Sequence, residues 1–177
     1  MLRARNARVI RIMDFLFALV LLPFALLIFV LLLLPELAVF RRIFYVSQRA
    51  GQGGKLFTHV KLQTMYGRRR GASPGRAHLE TERIPPWGGF LRKTHLDEIP
   101  EIVFILMGLE SFVGPRPLLP EHAALVSTPE RALLKPGWTG LSQIFLKRRG
   151  ILPGRIQRRL DRELGRKLCF TLYFRIL

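Results

Sequence analysis

Apolar positions are spread very unevenly along this chain. Residues 15–35 form a run of 21 without a single charge, long enough as a helix to cross a hydrocarbon core. The run exceeds the apolar core of a secretory signal. No small-residue cleavage site comes after it, only Glu36 to Arg42. It therefore predicts a membrane element. Two features argue against a simple span. Pro23 lies inside the run, where it removes a backbone hydrogen bond and bends a helix. Arg3, Arg5, Arg8 and Arg11 precede the run and Arg41 and Arg42 succeed it, and the positive-inside tendency draws both flanks to one side. A hairpin that enters, breaks at Pro23 and returns to the same face satisfies both. On physics alone it stands level with a spanning helix.

Beyond Arg42 the pattern changes. Residues 56–65 alternate loosely, as a short strand does, while 51–54 (GQGG) and 67–75 (GRRRGASPG) read as loops. In 151–168, Ile156, Leu160, Leu164 and Leu168 recur every four residues, with Arg155, Arg158, Arg159, Arg162, Arg166 and Lys167 on the other faces. This predicts an amphipathic helix, either lying in a membrane interface or packed on the domain core. The chain divides accordingly into a membrane-anchoring segment, 1–42, and a cytoplasmic domain, 43–177. The expected fold class is α/β and predominantly helical.

Composition narrows the function. At 49% hydrophobic residues the chain is not disordered, and the single cysteine, Cys169, excludes a disulfide scaffold and a thiolate zinc cluster. The formal net charge of +17, of which +13 lies after Arg42, calls for an anionic partner: nucleic acid, acidic lipid or a phosphorylated substrate. The phenylalanines concentrate in the membrane run rather than between cations, which speaks against base stacking and hence against nucleic acid.

The chemistry concentrates in 92–117, RKTHLDEIPEIVFILMGLESFVGPRP. Thr94 with Asp97 three residues on resembles a capping box, which would set Asp97 and Glu98 in the first turn of a helix, although Pro100 complicates that cap. Adjacent carboxylates call for a divalent cation or arginines close by. In Gly114-Pro115-Arg116-Pro117, two prolines hold the backbone around one guanidinium suited to a phosphate. Lys135-Pro136-Gly137-Trp138-Thr139-Gly140 again pairs turn residues with a cation. His59, His78 and His122 have no metal-site spacing, His95 reads as structural, and Cys169 as buried and inert.

In this order the segments resemble the bacterial sugar transferases, the monotopic phosphoglycosyl transferases that start glycan assembly on polyprenol phosphate, in their minimal form. The likeness runs from the proline-containing membrane segment through Gln48-Arg49-Ala50-Gly51, residues 57–65 and 91–100, the Gly-Pro-Arg-Pro and Lys-Pro-Gly-Trp-Thr-Gly turns, to Leu160-Asp161. Leu109, Leu141-Ser142-Gln143 and Lys147-Arg148-Arg149-Gly150 depart from the family pattern.

The resemblance implies transfer of a sugar-1-phosphate from a UDP-sugar to polyprenol (undecaprenyl) phosphate through a phosphosugar on an aspartate. Asp97 would be the nucleophile and Glu98 its partner. Substrate contacts would come from Lys61, Arg92, Lys93, Pro115, Arg116, Pro117, Lys135 and Asp161. Mg2+ would be held by Glu98 and Asp161. It further implies a place at the cytoplasmic face of the bacterial inner membrane, among membrane lipids and without nucleic acid, and leaves a homo-oligomer open. The alternative is a non-catalytic, membrane-anchored basic module that binds acidic lipid or nucleic acid. A pure polyanion binder gains nothing from Asp97-Glu98 set among arginines.

Overall fold

The computed structural model describes residues 4–67, 81–149 and 152–177. Most of the loop expected over 67–75 lies outside them. The apolar run belongs to helix α1, Ala4–Val39, which continues through Pro23 and Pro35 without leaving helical structure. Its most apolar part reaches a mean hydropathy of 3.2 with only 11% of that window buried, so it is not the core helix of a soluble fold. The chain is thus membrane-associated through one long N-terminal helix.

Two short strands, β1 (Phe44–Ala50) and β2 (Leu56–Leu62), pair on either side of a 3-10 turn at Gln52–Gly54. The rest is mostly helical: α2 (Pro86–Thr94), α3 (Glu101–Met107), α4 (Pro120–Val126), α5 (Pro129–Ala132), α6 (Leu141–Arg149), α7 (Gly154–Lys167) and α8 (Phe170–Ile176). Strands β3 (Ser111–Val113) and β4 (Gly137–Thr139) pair in parallel, Ser111 opposite Gly137 and Val113 opposite Thr139. The helix predicted from residue 151 begins at Gly154, with Pro153 in its cap position.

The chain folds into two compact units. One contains Met1–Val20, Gln48–Thr58 and Val103–Leu177, the other Leu21–Ser47 and His59–Ile102. In the first, Asp14 accepts from the Ser111 hydroxyl (3.0 Å), the Phe112 amide (3.0 Å) and the Tyr173 hydroxyl (2.7 Å). Arg11 donates to the Ile105 and Leu106 carbonyls at 2.6 and 2.5 Å, so a cation closes the carboxyl end of α3. Helix α7 packs on α4, α5 and α6. Leu164 and Leu168 are buried, and the arginines of α7 face outward. The second half of its apolar stripe therefore packs on the domain itself, while Ile156 and Leu160 are half-buried. Cys169 is half-buried rather than sealed. In the second unit, Leu32, Leu62 and Leu91 form a core flanked by Phe29, Ile43, Trp87, Leu96 and Ile99. Here the Trp87 indole N–H donates to Glu36 (2.8 Å).

Two of the turn motifs meet backbone to backbone. Gly114 N donates to the Thr139 carbonyl (2.8 Å) and Gly137 N to the Pro115 carbonyl (3.0 Å). A Cβ on Gly137 would overlap Gly114 N, and one on Gly114 would overlap the Lys135 carbonyl. Only glycine permits this approach. Gly137→Ala is expected to destabilise the protein by about 1–3 kcal/mol, since backbone cannot yield as a side chain does. Gly89→Ala, in helix α2 with no atom nearer than Ile84 Cγ2 at 4.0 Å, is expected to be neutral or stabilising. Thermal melts of the purified variants in detergent check both; equal melting temperatures would refute the tight approach.

Candidate active site

The Asp-Glu pair does not open a helix. Helix α2 ends at Thr94, whose hydroxyl donates back to the Phe90 carbonyl (2.9 Å) instead of capping the next turn. His95 adopts a left-handed conformation (φ 59°, ψ 18°) and turns the chain. Leu96–Glu98 then form a 3-10 turn, and α3 starts only at Glu101. The expected capping box is corrected here. Pro100 has no N–H to give the Leu96 carbonyl, so a continuous helix through Asp97 cannot close its ladder. The consequence is chemical: Asp97 and Glu98 sit on a bend between two helices rather than along one.

Strand β2 supplies the other half of the second unit's polar cluster. Successive residues of a strand face opposite ways, so His59 and Lys61 share one face. The Lys61 ammonium meets Glu98 Oε1 and lies 3.0 Å from Glu101 Oε1. His59 Nε2 lies 3.0 Å from the same Glu101 oxygen, and both of these side chains are buried. His95 Nδ1, more exposed, is 3.9 Å from Glu98 Oε2. Three carboxylates thus gather within five residues around one ammonium.

The electrostatics arise from burial and these neighbours. Burial pushes the Asp97 carboxyl up, Lys61 opposes it, Glu98 and Glu101 add repulsion and Arg92 attracts; the outcome is a pKa of about 6. Burial would also raise Glu101, but His59 and Lys61 outweigh it and hold Glu101 below the ordinary glutamate range. Burial likewise works against the Lys61 charge, yet Glu101 and Glu98 prevail and keep it above the usual lysine value. Adjacent carboxylates supply hard oxygen donors, and a divalent cation would relieve the repulsion that helps to raise Asp97. Asp97 and Glu98 fit such an ion.

Asp161 does not. Its carboxylate is fully buried, and Oδ2 accepts from Arg131 Nη1. Arg131 Nη2 in turn donates to the Arg116 carbonyl (2.6 Å). Asp161 therefore supports the Gly-Pro-Arg-Pro turn from behind, in the first unit, and a sealed, paired carboxylate is a poor ligand for a hydrated metal. In that turn Pro115 is buried, Pro117 half-buried and the Arg116 side chain exposed. The backbone is pinned while the guanidinium points to solvent. Lys135 is half-buried in the same unit; burial, then Arg11, lower its ammonium, and Asp14 opposes them.

Of the residues named from sequence, Lys61, Arg92, Lys93, Asp97 and Glu98 belong to one unit. Pro115, Arg116, Pro117, Lys135 and Asp161 belong to the other. Lys93 is exposed and Arg92 half-buried. Sequence reasoning missed His59, Glu101 and Arg131. For His59 a signal existed: it stands two residues before Lys61, on the same strand face. Glu101 stands four residues after Asp97, which reads as an ordinary helix-start acid until the fold buries it.

The raised Asp97 pKa carries a stability signature. The folded state binds a proton that the unfolded state releases between about pH 4 and pH 6, so ionised Asp97 weighs against the fold as pH rises through that window. Asp97→Asn is therefore expected to melt higher than wild type at pH 7–8 in EDTA, the gap closing below about pH 4. Differential scanning calorimetry across this range tests it, and a variant less stable at neutral pH would show that Lys61 and Arg92 dominate.

A model of the family described as bacterial sugar transferase matches residues 5–177. A putative undecaprenyl-phosphate N-acetylgalactosaminyl 1-phosphate transferase of Bacillus subtilis is 36% identical over 126 residues, 66% of each chain. UDP-glucose:undecaprenyl-phosphate glucose-1-phosphate transferase of Caulobacter vibrioides is 37% identical over 115 residues, 62% of this chain and 41% of that protein. An uncharacterized sugar transferase, EpsL, of Bacillus subtilis is 38% identical over 104 residues, 58% of this chain and 50% of its own. The chain spans about half the length of the curated relatives that it matches. With nearly every residue inside the family model, this chain belongs to the bacterial sugar transferase family.

Proposed function

We propose that the protein is a phosphoglycosyl transferase that moves a sugar-1-phosphate from a UDP-sugar to undecaprenyl phosphate. The observation that carries this reading is the cluster at the bend. Asp97 is held by burial and neighbouring acids at a pKa of about 6, in a chain whose relatives include undecaprenyl-phosphate glucose-1-phosphate transferases. A carboxylate that ionises near neutral pH, next to an ammonium and a second carboxylate, is suited to attack at phosphorus.

Asp97 Oδ attacks the β-phosphorus of the donor. The new aspartyl O–P bond forms as the bridging P–O bond breaks, and UMP leaves with the bridging oxygen. A phosphate oxygen of the polyprenol phosphate then attacks the same phosphorus and returns Asp97 as a carboxylate. Glu98 and Asp97 would hold Mg2+, which neutralises phosphate charge that a carboxylate nucleophile otherwise repels. Lys61, Arg92 and Lys93 add positive charge on the Asp97 side. Arg116, on its pinned turn, is presented to a phosphate. A basic module without catalysis gains nothing from gathering three carboxylates, two of them buried, in one place, which weighs against the alternative.

The anchoring we propose is re-entrant, bent at Pro23, with the catalytic portion at the cytoplasmic face of the inner membrane. Support comes from the basic residues on both flanks of the apolar run, Arg8 and Arg11 before it and Arg41 and Arg42 after it, with Pro23 between them. The positive-inside tendency draws both flanks to one side, which fits a course that enters and leaves one leaflet.

Two experiments test this. Purified protein with Mg2+, undecaprenyl phosphate and a panel of UDP-sugars is expected to release UMP with at least one donor. Without acceptor, intact-mass spectrometry is expected to find one phosphosugar on the chain, and Asp97→Asn to abolish the adduct and slow release at least about 10³-fold. For topology, Asn6→Cys and Ser47→Cys in a Cys169→Ser background are both expected to react with an impermeant maleimide only after the inner membrane is opened. Labelling of one site in intact spheroplasts would make α1 a spanning helix.

A further inference from the structure

Filling space on the buried face of β2 would take only an apolar side chain at position 59, yet a histidine stands there, 1% exposed, against a glutamate that is 2% exposed. Burying two ionisable groups is unfavourable unless each has a partner, and a partner that is itself held in place has a stronger effect than a mobile one. The contacts form a line. His59 Nε2 and the Lys61 ammonium both lie 3.0 Å from one oxygen, Glu101 Oε1, and the same ammonium also meets Glu98 Oε1. Lys61 thus has two anchors, one on the catalytic pair and one behind it.

We propose that His59 and Glu101 are positioning residues: through Glu101 Oε1 they hold the Lys61 ammonium against Glu98, beside Asp97. Neither residue is exposed enough to meet a substrate, so they act only through the lysine. The physical need is clear. A lysine is a point charge on a four-carbon stem with several rotamers, and a single carboxylate at the surface leaves most of that freedom intact. A second, buried acid on the other side of the ammonium leaves it one location. His59 completes the arrangement by contacting Glu101 from the strand that also carries Lys61, which fixes the glutamate's rotamer. The inference rests on the transferase reading for its consequence but not for its geometry.

The test separates the two. In protein labelled with 13C at lysine Cε, the Lys61 signal, assigned by its loss in Lys61→Met, is expected to relax as a rigid group in wild type. It is expected to become mobile in Glu101→Gln and in His59→Gln. Glu101→Gln keeps the size of the side chain, so it serves if the histidine variant does not fold. A Lys61 that stays rigid in both variants overturns the proposal whatever the activity. The rate of adduct formation at saturating donor then gives the consequence. His59→Gln is expected to slow it about tenfold alone, but by less than about twofold when added to Lys61→Met. Slowing by the same factor in both backgrounds would mean that His59 acts on the fold at large and would overturn the positioning role. A wild type that forms no adduct would refute the transferase reading and the role in the reaction, while the relaxation data would still decide whether the lysine is held.

Discussion

The ammonium of Lys61 is the constraint on which the site depends. Asp97, Glu98 and Glu101 lie within five residues of one another, and two of the three are buried. Without a cation between them the pocket would bind protons instead of staying charged. With Lys61 between Glu98 and Glu101, Glu101 keeps its charge. Asp97, buried and repelled by both glutamates, takes up the remaining repulsion and is left with a pKa of about 6. The carboxylates are thereby set apart by environment rather than by residue type.

Backbone geometry does for the arginine-bearing turn what charge does for the acids. The Gly-Pro-Arg-Pro turn is fixed by hydrogen bonds to the Lys-Pro-Gly-Trp-Thr-Gly segment and by Arg131 on the Arg116 carbonyl, with Asp161 behind Arg131. A turn held through its main chain leaves its arginine free to reach outward. The two motifs that look like separate loops along the chain are one structure, because glycine at 114 and 137 lets their backbones touch.

The membrane helix is integrated in the same manner. Asp14 and Arg11 sit just before the apolar run and engage β3, α8 and the end of α3, while Glu36 just after it engages Trp87. Charged residues at the edges of an apolar helix are usually read as interfacial anchors. Here they are structural ties to the globular residues, and that use explains why two acids persist beside so many arginines.

Much of this was legible along the chain. Periodicity and charge were enough for the membrane element, the amphipathic α7 and the strand at β2, because each is a local pattern, whereas the Asp-Glu pair and its arginine turn stood out through the order of motifs that carries the family resemblance. The bend that carries Asp97 was not, since Thr94 with an acid three residues on suits a cap equally well; the missing N–H of Pro100 decides the matter only once the neighbouring helices are placed. His59, Glu101 and Arg131 could not be weighed from spacing, and Asp161 looked like an open ligand. Whether a charged side chain is a ligand or a strut depends on what buries it and on which oxygen it shares. Those are distances between residues tens of positions apart, and only the tertiary structure sets them.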